Sequence, residues 1–572
     1  MSTPLSDLNH GFRQKYLNYA ELTDQLRAWA DAFPNLTRLE SIGKSGEGRD
    51  IWVLVVGPEP DRSRPCVWVD GNMHASEVMG SSAALGIAED VLRLHLEPDA
   101  EQHGLPDHVR AQLRDVLFYI LPRISPDGAE EVLKSGRWLR SVPRDNRPDG
   151  GHPYWKLEDV DGDGRALLMR KQAQRGDFVA TADGRMRRRR LEDTGPYYLV
   201  YPEGVIEHFD GVHVPTPTML SDHAPDLNRN FPYAWAPEHE QLGAGDYPGS
   251  EPESRAVLEY TTRLTSMFAW LNFHTFGGVF IRPRGDVADN KMDQGDLAIF
   301  KQLEAWASEL TGYPVVSGYE EFTYEPDKPL RGDMSDYGYH QRGAIAYVVE
   351  LWDFFKQIGM ERKQPFVHAY SHATESDHER AVEWDKQHNH GRIFQPWKAF
   401  SHPQLGEVEV GGLLPLVGIW NPPYERIDEV CNAQSACFLR VAALAPKLVL
   451  SVKHQALGDG VYRVDCQLEN HGYLATYGIP SAKKLDWNTA PVIEIELPPS
   501  AELVSPSGRI QALDHLEGWG RGYYASAIHY PRSASGSIAV SSFVVRGQGE
   551  VEVRAGCPRT GYLSERLTLT KR

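Results

Sequence analysis

Asp70-Gly71-Asn72-Met73-His74-Ala75-Ser76-Glu77 is the stretch on which the fold turns. The apolar run before it, Cys66-Val67-Trp68-Val69, reads as a buried strand. After it, Ala83, Ala84, Ile87, Ala88, Val91 and Leu92 recur at helical spacing. An imidazole and a carboxylate therefore stand where a strand gives way to a helix, the edge at which sites form in open α/β sheets. His74 and Glu77 offer two of the three protein ligands of a catalytic zinc, and the third has to come from distant sequence. His-x-x-Glu alone is a common chance pairing, so its meaning rests on what the rest of the chain supplies.

Working outward, Leu22, Leu26, Trp29 and Phe33 lie on one face of a helix that runs from about Tyr16 and stops at Pro34. Thr37–Gly43 and Ile51–Gly57 read as strands around a Gly46-Glu47-Gly48-Arg49 turn. Val116–Leu121 is a further apolar strand, followed by the turn Pro126-Asp127-Gly128. Met267–His274 is an apolar run that ends in histidine, and Ala344–Glu350 is one that ends in a carboxylate. Phe300, Leu303, Trp306 and Leu310 mark a helix between them. This alternation predicts an α/β fold with a mixed, mostly parallel central sheet. A helix over about 429–445 closes it at Pro446. Beyond that point Leu448, Leu450 and Val452 alternate, as do Tyr462, Val464, Cys466 and Leu468. The expected division is a catalytic domain over 1–445 and an all-β sandwich over 446–572.

From about 145 to 223 the composition shifts to Gly, Asp, Arg and Pro without long helical periodicity, which predicts an insertion of surface hairpins. Asp159-Val160-Asp161-Gly162-Asp163-Gly164 resembles the first half of a calcium loop. Arg170 occupies the position of the closing glutamate, so a Gly-Asp hairpin turn is the expectation. Five arginines between Arg185 and Arg190 are expected to line a solvated hairpin edge.

At 572 residues the chain exceeds one ordinary core. Sixty Lys and Arg against 79 Asp and Glu leave a net charge of −19, which argues against nucleic acid as a partner. No basic start leads into an apolar segment, and no apolar run approaches the ~20 residues that span a bilayer. No membrane partner is expected. The five scattered cysteines, with no Cys-x-x-Cys pair, lead us to expect reduced thiols in a cytoplasmic protein. The sequence is silent on oligomeric state.

Five segments together resemble the zinc metallocarboxypeptidases of the carboxypeptidase A type, over most of residues 15–440. They are Asn72-Met73-His74-Ala75-Ser76-Glu77, Pro126-Asp127-Gly128, Asp226-Leu227-Asn228-Arg229-Asn230, Phe273-His274-Thr275 and Val349-Glu350-Leu351, in the family's order and at compatible spacings. The resemblance implies a sheet of eight strands flanked by helices. It also implies one zinc ion per chain held by His74, Glu77 and His274, a ligand set that the resemblance supplies rather than the spacing. Glu350 takes the place of the general base, which accepts a proton from the attacking water and passes it to the leaving nitrogen. Asn228 and Arg229 take the place of the groups that grip a terminal carboxylate, a task suited to a planar guanidinium. Asp226 is expected to accept a hydrogen bond from His74 and fix its tautomer. An ungapped count forward from Pro126-Asp127-Gly128 lands the cation that stabilises the oxyanion on Arg140, with Arg137 and Arg144 close by.

The chain also departs from that pattern. Ser76 stands where the digestive enzymes have arginine, and Ser125 replaces an asparagine. The count back from Glu350 places Lys328, not tyrosine, where a mobile tyrosine covers the substrate. Tyr324, four residues earlier, is the candidate for that role. The pocket for the terminal side chain falls near Ser335 and Gly285, residue types that leave the preferred side chain open. The leading expectation is hydrolysis of the C-terminal bond of a peptide. A zinc amidohydrolase acting on a small N-acyl or γ-glutamyl amino acid is the alternative, and either substrate carries a free carboxylate. A third reading, a binding protein on an inactive scaffold, is disfavoured by the intact ligand and base positions.

Overall fold

The apolar runs that end in polar residues lie side by side. Eight strands of the computed structural model form one sheet: β1 (Thr37–Lys44), β2 (Asp50–Val56), β3 (Cys66–Gly71), β4 (Leu117–Leu121), β5 (Met267–Thr275), β6 (Val279–Arg282), β7 (Val315–Ser317) and β8 (Ile345–Leu351). Their order is β1-β2-β4-β3-β5-β8-β6-β7. The β4–β3, β3–β5, β5–β8 and β6–β7 seams are parallel, and β1–β2, β2–β4 and β8–β6 are antiparallel. The sheet is therefore mixed and mostly parallel, as the pattern predicts. The structure describes residues 4–144, 152–217, 225–325, 328–520 and 536–570.

β3, β4 and β5 are buried along their whole length, because the sheet is covered on both faces. Helix α1 (Tyr19–Ala32) turns Leu22, Leu26 and Trp29 inward. It starts at Tyr19 rather than Tyr16, because Asn18 and Glu21 form a reciprocal capping box. Helix α2 (Met79–Leu96) follows the organising stretch. It packs against α4 (Ile427–Ala442), which in turn meets α3 (Gln294–Thr311). A Cβ on Gly86 of α2 would approach Cys431 Cβ to 3.0 Å, so this helix pair is close-packed at a glycine.

The hairpins of the insertion are present, but their sheet has a distant contributor. Strands Leu168–Gln172, Phe178–Ala180, Met186–Arg188 and Tyr197–Pro202 join Phe394–His402 and Gly406–Leu413 in a six-stranded sheet with its own core around Met169, Tyr201, Val408 and Val410. Arg170 pairs with Glu409 at 2.7 Å and stacks on Tyr198 and Trp397, which ties the two segments together. The ends of the expected insertion, 145–151 and 218–223, lie outside the described residues. The carboxylates of Asp159, Asp161 and Asp163 lie within ligand reach of one another, but each accepts backbone N–H groups of its own turn. The arginine run is locally balanced. Arg185 pairs with Asp183 and Glu375, Arg187 with Asp193 and Arg188 with Asp177, while Arg189 stacks on Tyr197.

From Leu448 onward the described chain forms two four-stranded sheets around Val464, Leu468, Ile493, Phe543 and Val553. Fully buried Arg559 joins this region to the α/β part. It donates to the Met267 and Arg342 carbonyl oxygens and lies 4.9 Å from the Trp487 ring centroid. Among the described residues no helix is long and apolar enough to cross a membrane.

Candidate metal centre

β3, β5 and β8 are parallel neighbours, and the candidate site lies at their carboxyl ends. The loop after β3 is built from a few residues that tolerate unusual backbone. Asn72 has φ 54°, a region asparagine enters more readily than most side chains. Its amide donates to the His74 and Ala75 carbonyl oxygens and its side-chain oxygen accepts from Arg123 and Ser81. A Cβ on Gly71 would lie 2.6 Å from the Gly80 backbone, so strand end and helix start can approach only because both residues are glycine. Ser76 is buried and donates to the Leu139 carbonyl oxygen, while the Ala75 N–H donates to the Arg140 carbonyl oxygen. Ser76, the position at which the chain departs from the digestive enzymes, thus anchors the loop to Leu139.

Three acceptors converge here. His74 Nδ1 is 2.9 Å from Glu77 Oε1, His274 Nδ1 is 2.9 Å from Glu77 Oε2, and the two Nδ1 atoms are 2.9 Å apart. The far side of each ring fixes its tautomer. His74 Nε2 faces Asp226 Oδ1 at 3.1 Å, and His274 Nε2 faces Asn272 Oδ1 at 2.5 Å. Both partners are acceptors, so both rings carry their proton on Nε2 and turn bare Nδ1 lone pairs toward the carboxylate. Three acceptors facing one another without a proton repel. A cation between them removes that repulsion, and two imidazoles with one carboxylate suit zinc. Burial also holds the His274 imidazole below its usual range, despite the opposing pull of Glu77, and so favours the neutral ligand form.

Asn272 and Asp70, which support this arrangement, were not singled out by the sequence pattern. Asp70 accepts from Trp68 Nε1 at 2.6 Å, from Trp270 Nε1 at 2.8 Å and from the Asn272 amide, which obliges Asn272 to present its oxygen to His274. Burial pushes the Asp70 carboxyl up to about 7 against these three donors. The available signal was the polar residue inside an otherwise apolar strand, two positions before His274 and hence on the same face.

The remaining expected residues gather around one cavity of ≈ 160 Å³ lined by His74, Glu77, His274, Glu350, Arg140 and Arg229, together with Asn228, Tyr324, Ser335 and Gly285. Asp226 joins its two sides. Its Oδ1 faces His74 and accepts the Asn228 N–H, and its Oδ2 accepts from Arg140 at 3.1 Å. Burial raises the Asp226 carboxyl, but Arg140, His74 and Arg229 outweigh it and hold it well below the usual range. Arg140 also brings Nη1 within 3.7 Å of Glu77. Arg137 instead donates to the Leu157 carbonyl oxygen, and Arg144 pairs with Glu251 and Glu253, so only Arg140 of the three faces the centre. Arg229 donates to the Asn228 carbonyl oxygen, and among the described residues no carboxylate pairs with it. Asn228 Oδ1 accepts the Met334 N–H at 2.9 Å. Glu350 stands beside His274 across the β5–β8 seam. Burial, and then Glu77, push its carboxyl well above the usual range. Tyr324 is 58% exposed at the cavity edge, whereas Lys328 pairs outward with Glu325. Phe276, Tyr370 and Trp420, which the pattern did not mark, also line it.

A family model described as zinc carboxypeptidase matches residues 22–364, and a domain of unknown function matches 448–568. The chain is 32% identical over 129 residues to carboxypeptidase D of Drosophila melanogaster, which covers 22% of this chain and 8% of that one. It is 31% identical over 136 residues to a zinc carboxypeptidase of Saccharothrix mutabilis subsp. capreolus, covering 23% and 29%. The chain thus spans less than a third of either relative. The carboxypeptidase A of Helicoverpa armigera, a solved structure, aligns over 76% of this chain and 75% of its own at 17% identity, with a TM-score of 0.41.

Proposed function

The chain belongs to the zinc carboxypeptidase family, and from that premise we propose that it hydrolyses the C-terminal peptide bond of a peptide substrate. The observation that carries this reading is the meeting, in one cavity, of three facing metal-ligand atoms, the Glu350 carboxylate and an arginine, Arg229, with which no carboxylate pairs among the described residues. His74, Glu77 and His274 would hold the zinc, which when bound would supply a Lewis acid that makes water a competent nucleophile near neutral pH. Arg229, with Asn228, grips the terminal carboxylate and sets the register of the scissile bond. Glu350 takes the proton from the attacking water and delivers it to the leaving nitrogen. Arg140, held by Asp226, supplies positive charge where the carbonyl oxygen becomes an oxyanion. Tyr324 closes the cavity edge over the substrate.

The small volume of this cavity, ≈ 160 Å³, supports a second reading, a small N-acyl or γ-glutamyl amino acid cleaved by the same groups. A panel of C-terminally varied peptides and N-acyl amino acids, run on zinc-loaded protein with and without chelator, separates the two. Chelator-sensitive release of a C-terminal amino acid is expected. Failure of the zinc-loaded protein to cleave any member of the panel refutes the proposal. The cytoplasmic setting suggested by five buried, unpaired thiols belongs to the same proposal and is tested by fractionation.

A further inference from the structure

A second cavity, ≈ 760 Å³ in volume, adjoins the metal centre and shares two of its wall residues, Phe276 and Tyr370. It lies between two parts of the fold. On one side are Phe354, Phe355, Ile358 and Ala381, which follow the strand that carries Glu350. On the other are the 182–186 hairpin turn of the insertion and the Phe394–Trp397 strand, tied together by the Trp397 Nε1–H bond to the Gly184 carbonyl oxygen at 2.9 Å. The wall at 394–397 lies beyond the family match, which ends at 364, whereas the 182–186 turn lies within it.

Orientation follows from which residues line which space. Asn228, Arg229, Ser335 and Gly285 line the smaller cavity only. A substrate whose carboxylate reaches Arg229 has its C-terminal residue on that side, and the smaller cavity borders the larger one at Phe276 and Tyr370. These two rings stand 5.5 Å apart, edge to face, and Tyr370 donates to the Phe276 carbonyl oxygen. Their shared surface is where the two cavities border each other. The larger space is lined mainly by aromatic and aliphatic side chains, with Asp183, Asp377 and His378 the polar residues among them other than Arg185 and Gln395. The smaller cavity falls below the ~300–1,000 Å³ typical of ligand pockets, whereas the larger one lies well inside that range.

The geometry points to an apolar subsite for the substrate's acyl side: the larger cavity receives the apolar side chains of two or three peptide residues that precede the scissile bond. This rests on the peptidase reading above and goes beyond it by naming where selectivity resides. The metal centre and Arg229 set which bond breaks, and the walls contributed by the insertion and the 394–397 strand select which peptides reach it. Burial of apolar side chains in a preformed apolar cavity is the driving term. A hydrophilic upstream segment has nothing to gain there.

The test uses the full zinc-loaded chain and three kinds of substrate that share one C-terminal dipeptide: the N-acetylated dipeptide itself, peptides extended upstream by Leu and Phe, and peptides extended upstream by Ser and Gly. The expected kcat/KM for the Leu/Phe set exceeds that of the Ser/Gly set by on the order of tenfold or more. Phe355→Ser, inside the cavity, and Ala182→Glu, at its exposed rim, are expected to erase most of that preference and to leave turnover of the acetylated dipeptide unchanged. Equal rates for the two extended sets, with normal turnover of the dipeptide, would overturn the subsite and leave the peptidase reading standing. A preference that survives in both variants would overturn its placement in this cavity. An N-dodecanoyl amino acid cleaved faster than every peptide would replace the peptide segment with an acyl chain as occupant and so refute the proposal as stated. If nothing is hydrolysed, the dipeptide included, the underlying reading falls and the subsite with it.

Discussion

Replacing Asn272 by leucine, a side chain of similar size, tests the tautomer reasoning directly. Asn272 is 1% exposed and does two things: its oxygen accepts the His274 Nε2–H, and its amide donates to Asp70. In Asn272→Leu the Nε2–H has no acceptor, and a buried unsatisfied donor costs about 1–3 kcal/mol. The ring escapes that cost by moving its proton to Nδ1, where Glu77 and the bare His74 nitrogen, each 2.9 Å away, both accept it. That tautomer suits the metal-free protein and blocks the metal, because the lone pair that would bind zinc now carries hydrogen. Zinc binding must overcome the tautomer difference, and at 1.4 kcal/mol per tenfold this weakens binding about 10–100-fold. The metal-free protein loses chiefly one of three donors to Asp70, about 1.5 kcal/mol. The two effects separate in a chelator competition titration for zinc and a urea unfolding curve in the presence of chelator. Trp68→Phe is the control. It removes a different donor from Asp70 and leaves Asn272 in place, so stability should fall while zinc affinity stays within about threefold. Zinc binding by Asn272→Leu as tight as that of the unmodified chain would refute the assignment of the His274 proton to Nε2.

Glu350→Gln should retain zinc and lose on the order of 10²–10⁴ in kcat. In the unmodified chain the protonated form of Glu350 is inactive, so kcat/KM should fall as pH drops through a value above the ~4.3 of a free glutamate; a pH–rate profile of the variant should lack that limb. Arg140→Ala should lower kcat on the order of 10²–10³ with little change in KM for short substrates, as measured by steady-state kinetics. Chelation should lower the melting temperature, because the ligand atoms of His74, Glu77 and His274 are left facing one another; zinc at a hundredfold excess over its Kd should restore about 2.7 kcal/mol, read by thermal denaturation.

The centre of the fold was legible because parallel strands buried on both faces read as unbroken apolar runs. A polar residue that closes such a run marks the carboxyl end of the sheet, where the site lies. His274 and Glu350 are placed by that rule, and the β5–β8 register sets them directly opposite each other. The six-stranded sheet was not legible as a unit. Its hairpins show local turn chemistry, but the partner strand at Gly406–Leu413 joins them through the Arg170–Glu409 pairing, 239 residues away in sequence, and local periodicity carries no trace of such a contact. Counting along the chain from Pro126-Asp127-Gly128 reaches an arginine, Arg140, that lines the cavity. The ungapped count from Glu350 reaches Lys328 instead, an exposed lysine paired with Glu325.

Asn272 and Asp70 refine the rule. In a strand whose burial is complete, an asparagine or aspartate has given up water on every side and has to recover those hydrogen bonds from protein. Asp70 recovers three, from two indoles and one amide, and Asn272 passes the resulting orientation to His274. The two residues are register partners on β3 and β5, so a polar position in one buried run is answered by a polar position in its neighbour. A polar residue at the end of an apolar run points to the site, and a polar residue inside the run points to what holds the site in place. Applied to Cys66-Val67-Trp68-Val69-Asp70 and Met267-Phe268-Ala269-Trp270-Leu271-Asn272-Phe273-His274, that second clause selects Asp70 and Asn272 before any coordinate is known.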